Sequence, residues 1–468
     1  MADASRTRTI LGHPPGLAFL VFAEAWERFS FYGMQSLLVL YMGQFLLLPE
    51  HVGHVAGFQQ FRAVIATIYG PLSPAALASV IFGLYAGSVY LTPLAGGLLA
   101  DRLLGRTATV SLGAILMAAG HFLMAFEASF LMALACLLVG VGCFKGNIAT
   151  QVGELYGPGD LRRADAFQIY LLGVNLAVIV APLVCGTLGQ ALAWRWGFAA
   201  AGVGMLIGLA TYLSGLRWLP AEPRWQPSAQ GARPNLARGG RLARGEGKTV
   251  LLLVALLPAL VLAAVANLEI FNAYLVWGNA NYDLVYFGHS MPVTWLISLD
   301  AFIGSGLLVL SLMFWRWWAR RRREPEEITK LLIGTAIAAA APLLLAAASQ
   351  YETMSGHKVG LAWGISFHIL NDIGFVNIFP VGLALFSRVA PRAVAGLMIA
   401  VYFLHLFLAN MLVGWLGGLL ERMAATQFWL LHAGIVATGA VLLLIFRIAF
   451  KGMLTPTIDP GAVSSQSG

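Results

Sequence analysis

Residues 17–46 read LAFLVFAEAWERFSFYGMQSLLVLYMGQFL. About 20 apolar residues in a row allow a helix to cross a bilayer, and this stretch is longer than that. It nevertheless contains Glu24, Glu27 and Arg28. A charged side chain at the centre of a membrane helix costs roughly 2.5–3.5 kcal/mol on insertion scales, so such groups usually have a function. The stretch therefore predicts a membrane-spanning helix with a functional charge cluster.

The composition extends this interpretation to the whole chain. Of 468 residues, 59% are hydrophobic and 11% are charged, and the mean hydropathy is +0.78. A soluble core could not bury so much apolar surface, so we predict that lipid surrounds the protein. The net charge of +8 comes from short segments between apolar runs, which argues against a nucleic-acid partner. The three cysteines are too few and too scattered for a disulfide framework or a zinc site.

Twelve apolar segments predict an all-α integral membrane protein. Their predicted limits are 17–46, 78–100, 107–127, 129–150, 165–190, 194–219, 249–277, 293–318, 330–349, 359–388, 392–420 and 427–450. The third and fourth segments meet in a tight hairpin around Glu127. The polar N-terminus is followed by an apolar run with no small-residue cleavage site, so we predict that the first helix is retained.

Lysine and arginine residues set the orientation of such a protein, because they are enriched on the cytoplasmic side. If both termini are cytoplasmic, 23 of the 29 Lys and Arg residues lie inside and four lie outside. The remaining two, Arg28 and Lys145, fall within apolar segments. We therefore predict a multi-pass protein of the cell inner membrane with both termini in the cytoplasm.

A polar stretch divides the helices into two groups of six. Residues 221–248 are rich in Arg, Gly, Ala and Pro, which predicts a cytoplasmic linker. It separates an N-terminal six-helix bundle, 1–220, from a C-terminal six-helix bundle, 249–452, and a flexible tail follows at 453–468. Two such bundles around a central cavity are the expected architecture of a transporter that alternates access by rocking.

The charges within the spans are the candidates for function. Glu24 and Arg28 are four residues apart, so they lie on one helical face and can form an ion pair. The pair is either functional or a self-neutralised structural contact. Lys145 ends the fourth span, where it either faces the interior or extends to the membrane surface. Glu269, in the seventh span, is a plausible partner for Lys145.

The remaining polar groups in the spans allow structural readings as well. Asp300 and Asp372 are embedded acids that either act on a ligand or bond to a neighbouring helix. We interpret the embedded histidines as hydrogen-bonded helix contacts rather than proton relays, and their spacing matches no metal motif. They are His121, His368, His405 and His432. Pro182 and Pro380 lie inside spans, where a helix can break and line a cavity.

Several ordered blocks resemble one transporter family. The run from Glu24 to Gly33, EAWERFSFYG, is similar to the E-x-x-E-R-F-x-Y-Y-G signature of the proton-dependent oligopeptide transporters, a family of the major facilitator superfamily. The further blocks are VYLTPLAGGLLADRLLGR, GVGCFKGNIATQVGELY, AFQIYLLGVNLAVIVAPL and PVGLALFSRVAP. The resemblance covers most of residues 14–220 and implies the major-facilitator fold, with two six-helix bundles around a central cavity.

The resemblance also implies roles for individual residues. The residues implied in proton coupling are Glu24, Glu27, Arg28 and Glu269. Arg28 and Lys145 would hold the terminal carboxylate of a peptide. Tyr32, Tyr90 and Asn175 would line the pocket. Glu269 would pair with Lys145 and gate the outer side.

The chain departs from the family pattern at the site for the peptide ammonium. Phe375 stands where the family has a glutamate on helix 10, and Asp300 stands where it has an asparagine on helix 8. We therefore predict that Asp300, with Asp372 as the second choice, binds the ammonium. Phe31 and Gly146 replace a usual tyrosine and proline. The short linker implies twelve spans rather than the fourteen of many bacterial members.

The sequence thus predicts a proton-coupled symporter that imports di- and tripeptides by alternating access. The alternative is a proton-coupled transporter of another small solute, such as a modified amino acid or an organic acid, on the same scaffold. An enzyme would need a nucleophile–base pair or a metal cluster, and the sequence suggests neither. A passive channel would need no row of carboxylates and bases. We expect protons, a small solute and the lipid bilayer as partners, and no cofactor.

Overall fold

The structure is a computed structural model that describes residues 9–10, 12–157, 159–220 and 246–450. Most of the predicted linker and all of the predicted tail at 453–468 lie outside these ranges.

The described residues form an almost entirely helical protein. The long helices are α1 Pro15–Tyr41, α2 Pro74–Leu104, α3 Arg106–Leu123, α4 Glu127–Glu154, α5 Arg162–Leu192, α6 Trp194–Trp218, α7 Glu246–Phe271, α8 Trp295–Ala319, α9 Glu327–Ser355, α10 Leu361–Val389, α11 Ala395–Gly417 and α12 Ala425–Ala449. Two short helices, Pro49–Val52 and Phe58–Tyr69, join α1 to α2. Strands β1 Val285–Tyr286 and β2 His289–Ser290 form a small antiparallel hairpin between α7 and α8.

The helices coincide with the predicted spans. Ten of them are long and apolar enough to cross a membrane. The other two are α1, which carries the three charges noted above, and α3, which is only 18 residues long. The predicted tight hairpin between the third and fourth spans consists of residues 124–126, after which α4 opens with the 3₁₀ turn Glu127–Ser129. Large apolar side chains such as Leu172 and Leu310 are 69% and 58% exposed, as expected for surfaces that face lipid.

Besides α2, which is interrupted between Ser88 and Thr92, three of the long helices are irregular. The interruption predicted at Pro380 is present, because α10 consists of Leu361–Phe375 and Phe379–Val389. At Pro182, α5 changes to a π-helical turn. The sequence did not indicate the third irregularity: α7 breaks at Asn272 (φ −121°, ψ −111°) and continues as Ala273–Asn281. We call this continuation the outer part of α7.

The two groups of six helices are tied together at one end. Between α2 and α7, Ser79 donates to Asn272 Oδ1 (2.9 Å), and Asn272 Nδ2 donates to Ser79 Oγ (2.6 Å). Between α5 and the start of α8, Thr294 Oγ1 donates to Gln190 Oε1 (2.9 Å). Within the described ranges, every side-chain hydrogen bond between the groups lies towards the end of the protein that carries the β1–β2 hairpin. We call it the clamped end.

Glycine allows a close approach between the backbones of the two groups, where α2 packs against α11. A Cβ atom on Gly83 would lie 2.4 Å from the carbonyl oxygen of Asn410 and 2.7 Å from the Cα of Gly414. No side chain fits there without moving one backbone away from the other. The two groups therefore touch through backbone at this point, as small residues commonly permit in membrane helices.

Candidate functional site

The centre of α1 carries a buried ion cluster. Arg28 Nη2 donates to Glu27 Oε1 (2.6 Å), and Arg28 Nε also bonds the second oxygen of Glu27. Arg28 Nε lies 3.2 Å from Glu24 Oε1, at the i,i+4 spacing that the sequence predicted. The three residues are 0–3% exposed. A guanidinium can satisfy two carboxylates because it presents five N–H donors in a planar fork.

The two acids of this cluster are held differently. Both oxygens of Glu27 accept hydrogen bonds from Arg28. Glu24 has one oxygen near the guanidinium, while its Oε2 is buried without a hydrogen-bond partner among the described residues. An unsatisfied buried carboxylate oxygen is costly, and a proton on it would reduce that cost. Glu24 is thus the better placed of the two acids to take up a proton.

Lys145, on α4, faces this cluster. Its ammonium lies 5.4 Å from the ring centroid of Tyr90, a cation–π contact, and it is within electrostatic reach of Glu24, Glu27 and Arg28. With all four groups ionised, the two cations and two carboxylates cancel. The four charges therefore form a neutral group at the level where the bundles meet.

The predicted pair of Lys145 with Glu269 is wrong for this conformation. Glu269 Oε2 lies 3.3 Å from His432 Nε2 on α12, and its Oε1 accepts the backbone N–H of Ala273 (3.0 Å). The cause is the break in α7, which leaves the N–H groups of the outer part without helical partners. Glu269 caps that end and so turns towards α12, away from Lys145.

Aromatic side chains from both groups of helices surround the charged residues. Tyr32 of α1 lies 6.1 Å from Phe271 of α7, measured between ring centroids. Tyr90 of α2 stacks on Phe403 of α11 at 6.4 Å and 15°. The predicted pocket residues Tyr32 and Tyr90 therefore both face the opposite group. Asn175 is half-buried on α5.

Asp300 bonds to a neighbouring helix, one of the two readings that the sequence allowed. Its Oδ1 lies 2.8 Å from His368 Nδ1 on α10, and His368 Nε2 lies 2.9 Å from the hydroxyl of Tyr274. His368 is completely buried, while the side chain of Asp300 is 15% exposed. The carboxylate therefore retains access to the space between the helices, and its role towards a ligand stays a prediction.

Asp372 is the second embedded acid between α8 and α10. Its Oδ1 accepts a hydrogen bond from Asn371 Nδ2 (3.3 Å), and its Oδ2 is buried without a partner among the described residues. The carboxyl group lies beside that of Asp300. Two adjacent acids with one unbonded oxygen can hold a proton or a cationic group. Phe375, one turn away, stacks on Phe379 with 5.7 Å between centroids.

Two of the histidines do more than the sequence indicated. His368 and His432 each contact a buried acid on another helix, whereas His405 bonds the carbonyl of Tyr402 on its own helix. Neither ring nitrogen of His121 has a partner among the described residues. The sequence did carry a sign of these contacts, because it showed embedded acids as well as embedded histidines in the spans. The sequence could not show which acid meets which histidine.

Comparisons with known proteins agree with this arrangement. A family model described as PTR2, the POT family, matches residues 107–232. The peptide transporter YePEPT of Yersinia enterocolitica subsp. palearctica is 29% identical over 511 aligned residues, which cover 94% of this chain and 95% of that protein. The chain is therefore similar to the POT family, over residues 107–232 for the family model and along most of its length for YePEPT. The family is one of transporters, and the resemblance inferred from the α1 signature is confirmed.

Other relatives and solved structures are also similar to this chain. A di-/tripeptide transporter of Lactococcus lactis subsp. lactis is 37% identical over 233 residues, or 49% of this chain and 43% of that protein. The fold matches the peptide transporter POT crystallised with sulfate (TM-score 0.79, 24% identity, 96% of each chain). It also matches a POT family transporter crystallised with 5-aminolevulinic acid (TM-score 0.76, 21% identity, 96% and 98% of the two chains). The predicted fold class is thereby confirmed.

Proposed function

We propose that this protein is a proton-coupled symporter that imports di- and tripeptides across the inner membrane by alternating access. Its termini face the cytoplasm in this proposal, as the distribution of Lys and Arg predicts. Residues 1–220 and 249–452 form the two rocking bundles, joined by the linker at 221–248. The clamped end then faces outward, so the described conformation is closed to the outside.

The buried charge cluster carries this proposal. Glu24, Glu27, Arg28 and Lys145 are neutral together when all are ionised. A peptide carboxylate that binds Arg28 or Lys145 adds one negative charge to a buried site, which is unfavourable unless the charge is compensated. One proton on Glu24 restores neutrality. Binding of a carboxylate and uptake of a proton therefore favour each other at this site.

The coupling is energetically adequate for accumulation. One proton that crosses a potential of about 100 mV contributes about 2.3 kcal/mol. That free energy supports roughly fifty-fold accumulation of a neutral solute, before any pH gradient is added.

The second candidate is a proton-coupled transporter of another small solute with a carboxylate, such as a modified amino acid or an organic acid. One observation favours it: Phe375 stands where the family pattern has the acid for the peptide ammonium. The solved structure with 5-aminolevulinic acid belongs to a protein with a similar fold. In this candidate the cluster on α1 and Lys145 keep their proposed roles.

Counterflow into proteoliposomes distinguishes the two candidates. Liposomes with the purified protein are loaded with unlabelled alanyl-alanine, a single amino acid or 5-aminolevulinic acid, and the entry of the labelled form of the same solute is followed. We expect exchange with internal alanyl-alanine and little with alanine. Exchange only with a non-peptide solute would support the second candidate. A proton gradient that drives no solute would refute both.

A further inference from the structure

A row of hydrogen-bonded side chains runs through the C-terminal helices from Asp300 towards the clamped end. Asp300 Oδ1 lies 2.8 Å from His368 Nδ1, and His368 Nε2 lies 2.9 Å from the hydroxyl of Tyr274. The hydroxyls of Tyr274 and Tyr282 are 3.4 Å apart. His368, Tyr274 and Tyr282 are each 0% exposed. Every member can both donate and accept a proton.

A glycine in α10 leaves the room that the two tyrosine hydroxyls occupy. A Cβ atom on Gly364 would lie 2.9 Å from the hydroxyl of Tyr282 and 3.2 Å from that of Tyr274. α10 therefore approaches the two hydroxyls closely. The ring of His368 is also packed edge-on against Tyr274, with 5.2 Å between centroids. The row is thus fixed by packing as well as by hydrogen bonds.

Each end of the row meets a different environment. At the clamped end, Tyr282 lines a cavity of about 510 Å³ together with polar groups that include Asp283 and Lys358. At the other end, the carboxyl of Asp300 lies beside that of Asp372, whose Oδ2 has no hydrogen-bond partner among the described residues. The row therefore runs from a residue of the cavity wall at the clamped end to two neighbouring acids, Asp372, which is buried, and Asp300, which is partly exposed.

We propose that this row is a proton relay from the outer cavity to the Asp300–Asp372 pair, which rests on the proposed function. A proton that enters from the cavity reaches the fully buried hydroxyl of Tyr282, which passes its own proton to Tyr274, and Tyr274 passes its own to His368 Nε2. His368 then gives the proton on Nδ1 to the Asp300 carboxylate. Each intermediate group gains one proton and loses one, so only Asp300, or Asp372 beside it, is changed at the end.

The relay supplies a second site of protonation, separate from Glu24 and Glu27 on α1. The titratable groups that face the central His368 are Asp300 from α8 and Tyr274 from the outer part of α7. Asp372 faces Asp300 from the same helix as His368. A proton delivered to this pair removes one negative charge from the space where we expect the ligand ammonium. The relay thereby makes the charge in that space depend on the proton concentration outside.

The test is Tyr274→Phe, which removes the hydroxyl and keeps the ring. The matched control is Tyr402→Phe in α11, where a buried tyrosine hydroxyl donates to the carbonyl of Phe379 (2.6 Å). Uptake of labelled alanyl-alanine is measured in proteoliposomes with a proton gradient, and counterflow without one. We expect Tyr274→Phe to slow gradient-driven uptake about a hundredfold, the lower end of what a positioned proton-transfer group contributes. Counterflow and the control should stay close to the parent.

The outcomes separate the relay from the function on which it rests. A parent protein that accumulates no solute in response to the gradient contradicts the proposed function. A working parent with an unaffected Tyr274→Phe variant contradicts the relay. Equal loss of uptake and counterflow in Tyr274→Phe also contradicts it, because that pattern indicates a structural role. Tyr282→Phe provides a second variant with the same expected pattern, should Tyr274→Phe fail to fold.

A second and independent observation lies at the surface of the N-terminal helices. His51 Nδ1 is 3.0 Å from Glu127 Oε1, and His54 Nδ1 is 3.1 Å from Glu127 Oε2. The ligand atoms of the three residues all lie within 4.8 Å of one another. Neighbouring ligand atoms around a tetrahedral zinc ion are about 3.3 Å apart, given Zn–N and Zn–O lengths of about 2.0–2.1 Å. The trio is therefore close to zinc-binding geometry.

Several contacts hold this trio in place. The ring of His51 lies over that of Phe45 with centroids 3.9 Å apart, which fixes the direction of Nδ1. The backbone N–H of Ala56 donates to the carbonyl of Ala128 (3.1 Å) and ties the histidine segment to the α3–α4 hairpin. The side chain of His54 is 69% exposed, so one side of the trio is open to water.

We infer that His51, His54 and Glu127 bind one Zn²⁺ or a similar first-row divalent ion, with water as the fourth ligand. All three residues belong to the N-terminal helices. The ion would therefore fasten the end of α1 to the α3–α4 hairpin without joining the two bundles. Its expected effect is on stability and not on the direction of transport.

The experiment uses the full-length protein in detergent, stripped with EDTA and titrated calorimetrically with ZnCl₂, with MgCl₂ as the control ion. We expect one Zn²⁺ per chain in the parent and in His289→Ala, a control at an exposed histidine of β2. His54→Ala and Glu127→Gln should each weaken binding by at least about tenfold. The absence of zinc binding in the parent, or an affinity equal to that of the parent in the two variants, would overturn the proposal.

Discussion

Replacing Glu24 or Glu27 by glutamine separates two tasks that the α1 cluster combines, namely holding Arg28 and taking up a proton. Glutamine has the shape of a protonated glutamate but cannot ionise. Because Glu24 Oε2 has no hydrogen-bond partner among the described residues, Glu24→Gln imitates the protonated cluster. We therefore expect Glu24→Gln to bind and exchange substrate while losing its response to a proton gradient.

The structure predicts that the two substitutions lower the free energy of unfolding by different amounts. Glu27 accepts from Arg28 through both oxygens, one of them at 2.6 Å. Glu27→Gln turns one acceptor into a donor, and the loss of one charge-assisted hydrogen bond costs about 1.5–3 kcal/mol. Glu24 meets Arg28 through a single contact at 3.2 Å. Because that contact can be kept by the amide oxygen, Glu24→Gln costs about 1 kcal/mol or less.

The assay combines thermal unfolding of both purified variants with transport in proteoliposomes. Glu24→Gln should melt close to the parent, lose gradient-driven accumulation of labelled alanyl-alanine and retain counterflow. Glu27→Gln should melt clearly lower and also lose accumulation, with counterflow retained in part. Parent-like accumulation in both variants would show that the cluster does not couple protons. A larger loss of stability in Glu24→Gln than in Glu27→Gln would refute the assignment of the two acids.

Three further predictions concern the ligand and the contact between the bundles. Arg28→Lys should abolish uptake, because a lysine cannot copy the planar fork that meets a carboxylate; equal binding of free and C-terminally amidated alanyl-alanine to the parent would remove the carboxylate role of Arg28 and Lys145. Asp300→Asn should weaken binding of amino-terminated ligands far more than of N-acetylated ones, measured as paired affinities in one detergent; equal loss for both would show that Asp300 does not bind the ligand ammonium. Gly83→Ala should lower thermal stability by about 1–3 kcal/mol, as overpacking does, because its Cβ would lie 2.4 Å from the carbonyl oxygen of Asn410; an unchanged melting temperature would show that α2 and α11 can separate without cost.

The sequence by itself determined the features that depend on local order along the chain. Segment length and apolar composition define the twelve long helices, since a bilayer of fixed thickness accepts only runs of sufficient length. The spacing of Glu24 and Arg28 places both on one face of α1, because a helix brings residues four apart together. Pro380 marks the interruption of α10, since proline removes a backbone donor. Each of these follows from neighbours in sequence.

Only the tertiary structure decided which buried charges meet. Glu269 and His432 are 163 positions apart, and Asp300 and His368 are 68 apart. Their pairing depends on the rotation and breaks of helices from different parts of the chain, which hydrophobic periodicity does not encode. The break at Asn272 turns Glu269 towards α12 because its carboxylate must cap the free N–H groups of the outer part of α7. In the described conformation Glu269 meets His432 and Lys145 faces α1, so the pairing of Glu269 with Lys145 stays a prediction for another conformation.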